Sequence, residues 1–322
     1  MRRFLLHIAL FLLPFLGLLA WLLIVTPERE WSYRMIQKDC RTGDWIYRRL
    51  HQVEAPVDVA FVGTSKTMCN VNDSLIEYRL HRDHGRSLRI ANFGVCRMGE
   101  NLHWLIARDI LQHKGPRHLI VEVSAEMATN SHFHFPYMAT AGEAIGAPLW
   151  ANSDYLYDLT TLAWNRLVYQ REHLLGIERQ FGDQVKDSLH SFLIVGKDGI
   201  ADSSEMAGTH SRRVGRLSSG PPTGIKRWIY DAEAAPPKHY YRAMADLCQA
   251  HGTQLTFLYL PIYGTERIPP FESAFLQTLG AVWMPPDSVF GDPKLYFDNS
   301  HLNMQGARNL SDWLTRQVAS LP

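Results

Sequence analysis

The chain has 322 residues and a mass of 36.9 kDa, with 46% hydrophobic and 20% charged residues. That balance excludes an intrinsically disordered chain, which carries fewer large apolar side chains and a stronger charge bias. A total of 33 Lys and Arg against 32 Asp and Glu leaves a formal charge of +1; with no basic helix or basic–aromatic stripe, nothing points to nucleic acid as a partner.

Arg2 and Arg3 precede an uncharged, mostly apolar run from Phe4 to Val25, closed by Thr26-Pro27-Glu28. As a helix rising about 1.5 Å per residue, this run spans roughly 33 Å, enough to cross a bilayer core. A cleavable signal peptide is the competing reading. It would have a shorter apolar stretch and a small-x-small exit, whereas the exit here is Leu22-Leu23-Ile24-Val25. The leading arginines favour a cytoplasmic N-terminus. Arg34, Lys38, Arg41, Arg48 and Arg49 follow the span, but a large folded domain translocates largely regardless of charge. Residues 1–26 are therefore expected to anchor the chain in the membrane, 27–55 to form a partly helical connector, and 56–322 to form an external domain.

Val57–Val62 and Leu88–Phe93 are short β-rich runs, stopping at Gly63 and Gly94. A helix is predicted from Asp73 to about Arg82, and another from Glu100 to His113 with Leu102, Leu105, Ile106 and Ile110 on one face. His118–Val123 reads as a third strand and Leu255–Leu260 as a doubly covered parallel strand. Helices over 237–251, 271–279 and 304–318 and a short strand over 281–284 complete the pattern. The alternation predicts an α/β fold built on an open parallel sheet with helices on both faces and its site at the strand C-termini. Between about 125 and 236 the rhythm breaks, and the segment reads as a helical and loop insertion beside those ends.

Four cysteines, Cys40, Cys69, Cys96 and Cys248, show no C-x-x-C spacing. An external compartment permits disulfides. Four cysteines allow three pairings, and none is favoured: Cys69 and Cys96 both follow predicted strand ends and could meet there, while Cys248 sits in an apolar helical pattern as a buried thiol.

Two segments carry chemistry. Gly63-Thr64-Ser65 directly follows the first strand, and Asp298-Asn299-Ser300-His301 directly precedes the last helix. A serine hydroxyl needs a base within hydrogen-bond reach, and histidine suits that task near neutral pH. A carboxylate on the far ring nitrogen fixes the tautomer. Asp298 and His301 are three residues apart, so one turn of backbone brings both to one side.

The stretches "FVGTSKTM", "ANFGVCRMGEN" and "FDNSHLNMQGARNL" resemble the first, second and fifth blocks of the SGNH (GDSL-type) hydrolases. The resemblance covers roughly 57–124 and 237–320 and implies a flavodoxin-like three-layer sandwich. It implies Ser65 as nucleophile, with Asp298 and His301 completing a triad. Gly-Thr-Ser replaces the usual Gly-Asp-Ser, which is similar to membrane-anchored members of the family that acylate cell-envelope polymers. The family pattern places oxyanion donors at Ser65 and at a second-block glycine. Gly94 is one candidate; Arg97 falls at the usual glycine position and can offer its backbone N–H, or its guanidinium to an acidic sugar. The third-block G-x-N-D is absent, replaced by Glu122-Val123-Ser124-Ala125-Glu126.

Tyr259 and Tyr263 flank Pro261 at a predicted strand end and are expected to line the cleft, with Asn303 as a further substrate contact. Trp150, Trp164 and Trp228 either stack on sugar rings or pack within the insertion. His132 and His134 read as lid surface or substrate contact, since no third metal ligand lies nearby. "VGKDGIADSS" departs from the calcium-loop pattern and reads as an ordinary loop. The resemblance thus implies an O-acyltransferase in the bacterial inner membrane, its domain periplasmic. It would pass an acyl group from a donor to an exported polysaccharide, needing no cofactor, alongside a polytopic membrane-bound O-acyltransferase. A carbohydrate esterase and a non-catalytic scaffold are the competing readings.

Overall fold

The computed structural model describes residues 1–125, 130–147, 154–177, 223–265 and 272–322. Five strands form one fully parallel sheet in the order β2-β1-β3-β4-β5. They are β1 (Val59–Gly63), β2 (Ile90–Gly94), β3 (His118–Val123), β4 (Gln254–Tyr259) and β5 (Ala281–Trp283). The register pairs Gly63 with Gly94 and Val59 with His118, so the C-terminal ends of β1, β2 and β3 lie side by side on one edge.

Successive side chains of a strand point to opposite faces, and β1 divides accordingly. Ala60 and Val62 enter one buried cluster, Val59 and Phe61 the other. The first cluster is covered by α6 (Glu100–His113) and, later in the chain, by the helix Ala235–His251 through Tyr241, Met244 and Cys248. The second lies under α5 (Asp73–His84) and the last helix, Met304–Ala319, which contributes Leu310, Trp313, Leu314 and Val318. Each fully buried Leu, Val or Phe of these layers contributes roughly 1.5–3 kcal/mol. The helix ends are specified locally. Asn72 caps α5 by accepting the Leu75 N–H, and Gly85 closes it at φ 64°.

The stretch 27–55, expected as a connector, forms two helices, α2 (Arg29–Cys40) and α3 (Gly43–His51). Tyr33, Ile36, Trp45, Ile46 and Leu50 belong to the same buried cluster as α6. This segment is therefore a layer of the domain. Preceding it, α1 (Arg2–Ile24) contains one span, Arg2–Leu22, that is long and apolar enough to cross a membrane. In the expected insertion the described residues form α7 (Phe135–Met138), α8 (Ala141–Ile145), α9 (Tyr155–Leu174) and a further helix, Gly224–Glu233. Trp150 and the "VGKDGIADSS" loop lie outside the described residues.

The sequence left the cysteine pairing open. Cys96 bonds Cys40 of α2, and Cys69 stays a buried free thiol, as does Cys248. Cys69 sits on the short helix after β1, and burial first, with the Asp298 and Glu122 charges adding to it, pushes its thiol up to about 12. Sequence alone missed the pair because α2 was not recognised as part of the domain. We expect non-reducing mass spectrometry of the denatured protein to find the Cys40–Cys96 cross-link and two free thiols. Replacing both bridge residues by serine should cost up to about 4 kcal/mol in urea unfolding, from the entropy of a closed loop of this size.

Candidate active site

After β1 the chain turns at Thr64 and starts the short helix α4 (Ser65–Asn70), with Ser65 at its first position. The Thr64 hydroxyl accepts the Lys66 N–H at 3.1 Å, capping one of the unpaired amides of the first turn. At the other end of the chain, Tyr296 and Leu302 form an antiparallel bridge, and the Phe297 N–H donates to His301 O at 2.8 Å. The loop so enclosed is folded by Asp298 itself. Its Oδ1 accepts the N–H groups of Ser300 at 2.7 Å and His301 at 2.8 Å. Asn70 Oδ1 accepts the Leu302 N–H at 2.9 Å and ties this loop to the end of α4.

Ser65, far in sequence from Asp298 and His301, therefore meets them. His301 Nε2 lies 2.8 Å from Ser65 Oγ, and His301 Nδ1 lies 2.8 Å from Asp298 Oδ2. Burial pushes the Asp298 carboxyl up, but hydrogen bonds from the His301 ring and the Ser300 and His301 amides outweigh it and hold it below its ordinary value. An ionised carboxylate only accepts, so Nδ1 carries the proton and Nε2 is left to accept from the Ser65 hydroxyl.

Behind Ser65 lies a group that sequence reasoning registered only as a departure from a motif. The Glu122 carboxylate, at the end of β3, is buried under Thr64 and Thr67. It accepts the Thr64 N–H at 2.8 Å, the Thr64 hydroxyl at 2.8 Å, the Thr67 N–H at 3.1 Å and the Thr67 hydroxyl at 2.6 Å. Lys66 Nζ lies 3.1 Å from Glu122 Oε1, the oxygen that also takes the Thr64 hydroxyl, and donates to Leu260 O. Gly63 makes room for it, since a Cβ there would stand 2.6 Å from Glu122 Oε2 and 2.2 Å from Thr67 Oγ1. Burial alone would raise the Glu122 carboxyl, but the Lys66 charge and the Thr67 and Thr64 hydrogen bonds bring it below the usual value. One signal was legible in the sequence: a glutamate inside the apolar run "HLIVEV" must find partners when the strand is covered on both faces.

A cleft of about 200 Å³ opens at the serine, lined among others by Ser65, Lys66, Arg97, Ser124, Thr265 and His301. Among the described residues, the N–H groups of Ser65 and Arg97 have no acceptor. Arg97 adopts φ 64°, the left-handed conformation that glycine takes freely and other residues rarely. Its guanidinium lies over the Phe133 ring at 5.1 Å. Gly94 is not a donor: its N–H is taken by Asn92 Oδ1 at 3.0 Å. Glycine is needed there because a Cβ would lie 2.5 Å from the Met68 N.

Three expected substrate contacts have other roles. Tyr259 is buried and donates its hydroxyl to Thr265 O at 2.6 Å. Tyr263 packs its ring against Tyr296 and is not among the residues lining the cleft. Asn303 caps the last helix by accepting the Gln305 and Gly306 amides, and its Nδ2 donates to Lys294 O. His132 and His134, expected at the lid surface, are buried. His132 Nε2 donates to Cys96 O at 2.8 Å and its Nδ1 accepts the His134 N–H. Burial lowers His132 to about 3 and His134 to about 4; the neutral His132 ring braces the Cys96–Gly99 loop, while His134 Nε2 lies 3.4 Å from Asp39 Oδ2. Trp164 and Trp228 are exposed and do not line the cleft. Among the described residues no cluster of His, Cys, Asp and Glu could hold a metal ion.

No protein-family model and no curated protein matches the chain.

The lowered Glu122 value fixes a sign. Its ionised form stabilises the fold fully above the ordinary glutamate range, about pH 4.3, and that contribution is lost as pH falls through the lowered value. Glu122→Gln should therefore cost roughly 3–5 kcal/mol at pH 7 by leaving Lys66 without its carboxylate. It should also flatten the acid limb of the urea midpoint measured against pH.

Proposed function

We propose that the protein is a membrane-anchored O-acyltransferase of SGNH type, acting outside the cytoplasm through an acyl-Ser65 intermediate. The observation that carries this reading is the unbroken hydrogen-bond chain Ser65 Oγ–His301 Nε2 and His301 Nδ1–Asp298 Oδ2, both links 2.8 Å, opening on a cleft. The strand order β2-β1-β3-β4-β5, with the serine at the end of β1 beside β3, agrees with a flavodoxin-like sheet used at its switch point.

In the first half-reaction Ser65 Oγ attacks the donor's acyl carbonyl while His301 Nε2 takes the hydroxyl proton. Asp298 holds the imidazole and stabilises its positive form. The oxyanion is met by the Ser65 and Arg97 amides. His301 then returns its proton to the departing donor oxygen. In the second half-reaction His301 Nε2 removes a proton from an acceptor hydroxyl, which attacks the acyl carbonyl; the bond from acyl carbon to Ser65 Oγ then breaks, and His301 returns the proton to Oγ. The small cleft suits a short acyl group such as acetyl. The apolar α1 supports an acceptor met at the membrane, an exported polysaccharide, with the acyl group delivered across the bilayer by a polytopic membrane-bound O-acyltransferase.

The test is acetyl transfer by the detergent-solubilised full-length protein from an activated acetyl ester, with and without oligosaccharides. Serine-dependent sugar acetylation is expected; ester loss indifferent to sugars would replace transfer by hydrolysis, and turnover unchanged by Ser65→Ala would overturn the mechanism. Ser65→Ala, His301→Ala and Asp298→Asn should each lower the rate by about 10⁴ or more, without adding when combined. Arg97→Gly keeps the amide and relaxes the left-handed backbone. It should retain activity within about tenfold, whereas loss of an oxyanion donor costs about 10²–10³.

A further inference from the structure

Helix α9 is built inside out. Its buried positions are Asp158, Leu162, Asn165, Arg166 and Glu172, four of the five polar or charged. Its exposed positions include Leu156, Tyr157, Trp164, Leu167 and Leu174, with Trp164 63% and Leu174 79% accessible. At 3.6 residues per turn these five fall within an arc of about 100°. A soluble domain helix turns its apolar stripe to the core and its charges to water. Here the order is reversed, and a contiguous exposed apolar face marks a surface that something covers.

The helix lies beside α1, against which it packs. Arg166, buried within α9, donates to Leu22 O at the end of α1, and also to Ala139 O. Arg166 lies between Trp164 and Leu167 in the chain, so the exposed stripe passes beside the end of the apolar span. Trp164 and Tyr157 are amphipathic aromatics of the kind enriched where membrane meets water. Arg171, exposed in the same arc, carries a stem long enough to reach a phosphate headgroup layer.

We propose that the exposed stripe of α9 rests in the interfacial layer of the bilayer that α1 enters, so that the domain lies on the membrane through two helices and is not held on a tether. The proposal rests on α1 as a membrane segment and is independent of the acyl chemistry. The Arg166 contact joins the domain to the end of α1, and the cleft is thereby held at a set height and orientation above the lipid.

Full-length protein in vesicles of phosphatidylethanolamine and phosphatidylglycerol would carry a single nitroxide at Trp164→Cys, Leu167→Cys or Leu174→Cys. Labels at Phe11→Cys on α1 and Tyr78→Cys on the exposed side of α5 serve as references. Relaxation by oxygen, which concentrates in lipid, is compared with relaxation by a water-soluble nickel chelate. The native Cys69 and Cys248 are buried, and protein with no added cysteine reports their background. Oxygen preference at 164, 167 and 174, as at 11, with nickel preference at 78, is the expected result. Nickel preference at all three α9 sites while site 11 prefers oxygen would overturn the proposal with the anchor intact. Immobile α9 labels shielded from both reagents would overturn it in favour of a second copy of the chain covering the stripe. Nickel preference at site 11 would overturn the anchor itself and the proposal with it.

Discussion

A single buried carboxylate organises the end of the sheet. Glu122 accepts the amides and hydroxyls of both Thr64 and Thr67 and pairs with Lys66. A charge in such a place is tolerated only when its hydrogen-bonding capacity is filled and an opposite charge stands beside it. That requirement fixes the identities of a short run. Position 63 must lack a side chain, 64 and 67 must carry hydroxyls, and 66 must be a cation able to fold back toward the sheet. Ser65 is the one member of Gly63–Thr67 that does not serve Glu122. Its side chain is left to face the cleft, held on a backbone its neighbours have immobilised.

The histidine side of the site is built by a different economy. Asp298 uses one oxygen to fold its own loop and the other to orient His301. Asn70 then carries the loop onto the helix that Ser65 begins. The second amide of the site is braced from behind by the Cys40–Cys96 bridge, the His132 ring and the Phe133 face. Five separate regions of chain therefore converge on one cleft: the segments after β1, β2, β3 and β4 and the segment before the last helix. The parallel sheet makes that convergence possible by setting its strand ends on one edge. The helices around α1 add the link between this site and the apolar N-terminal helix.

Much of this was legible in the sequence because it is written in local patterns. The helix Glu100–His113 and the strand His118–Val123 coincide with their predicted limits, since apolar periodicity and flanking Gly and Pro define both. Ser65, Asp298 and His301 were legible from residue type and from their positions at a strand end and a helix start. What was missed is long-range. The segment 27–55 looks polar, yet its few apolar residues line up on the core once α2 and α3 form. Without that, Cys40 had no reason to face Cys96. Tyr259 sits at the end of β4 as expected, but strand alternation turns its side chain into the core. Asn303 was read for chemistry where its local task, capping a helix, sufficed. Gly94 stood among the candidate donors because the sequence does not show that Asn92 occupies its N–H.

The central claim is that Ser65 is a nucleophile activated by His301. Labelling with a fluorophosphonate, which reacts with activated serines, tests it most directly in the intact protein. The account predicts one modified residue, Ser65, found by peptide mapping, and loss of that label in His301→Ala while the fold is kept. An unlabelled Ser65 in the wild-type protein, or labelling undiminished in His301→Ala, would contradict it.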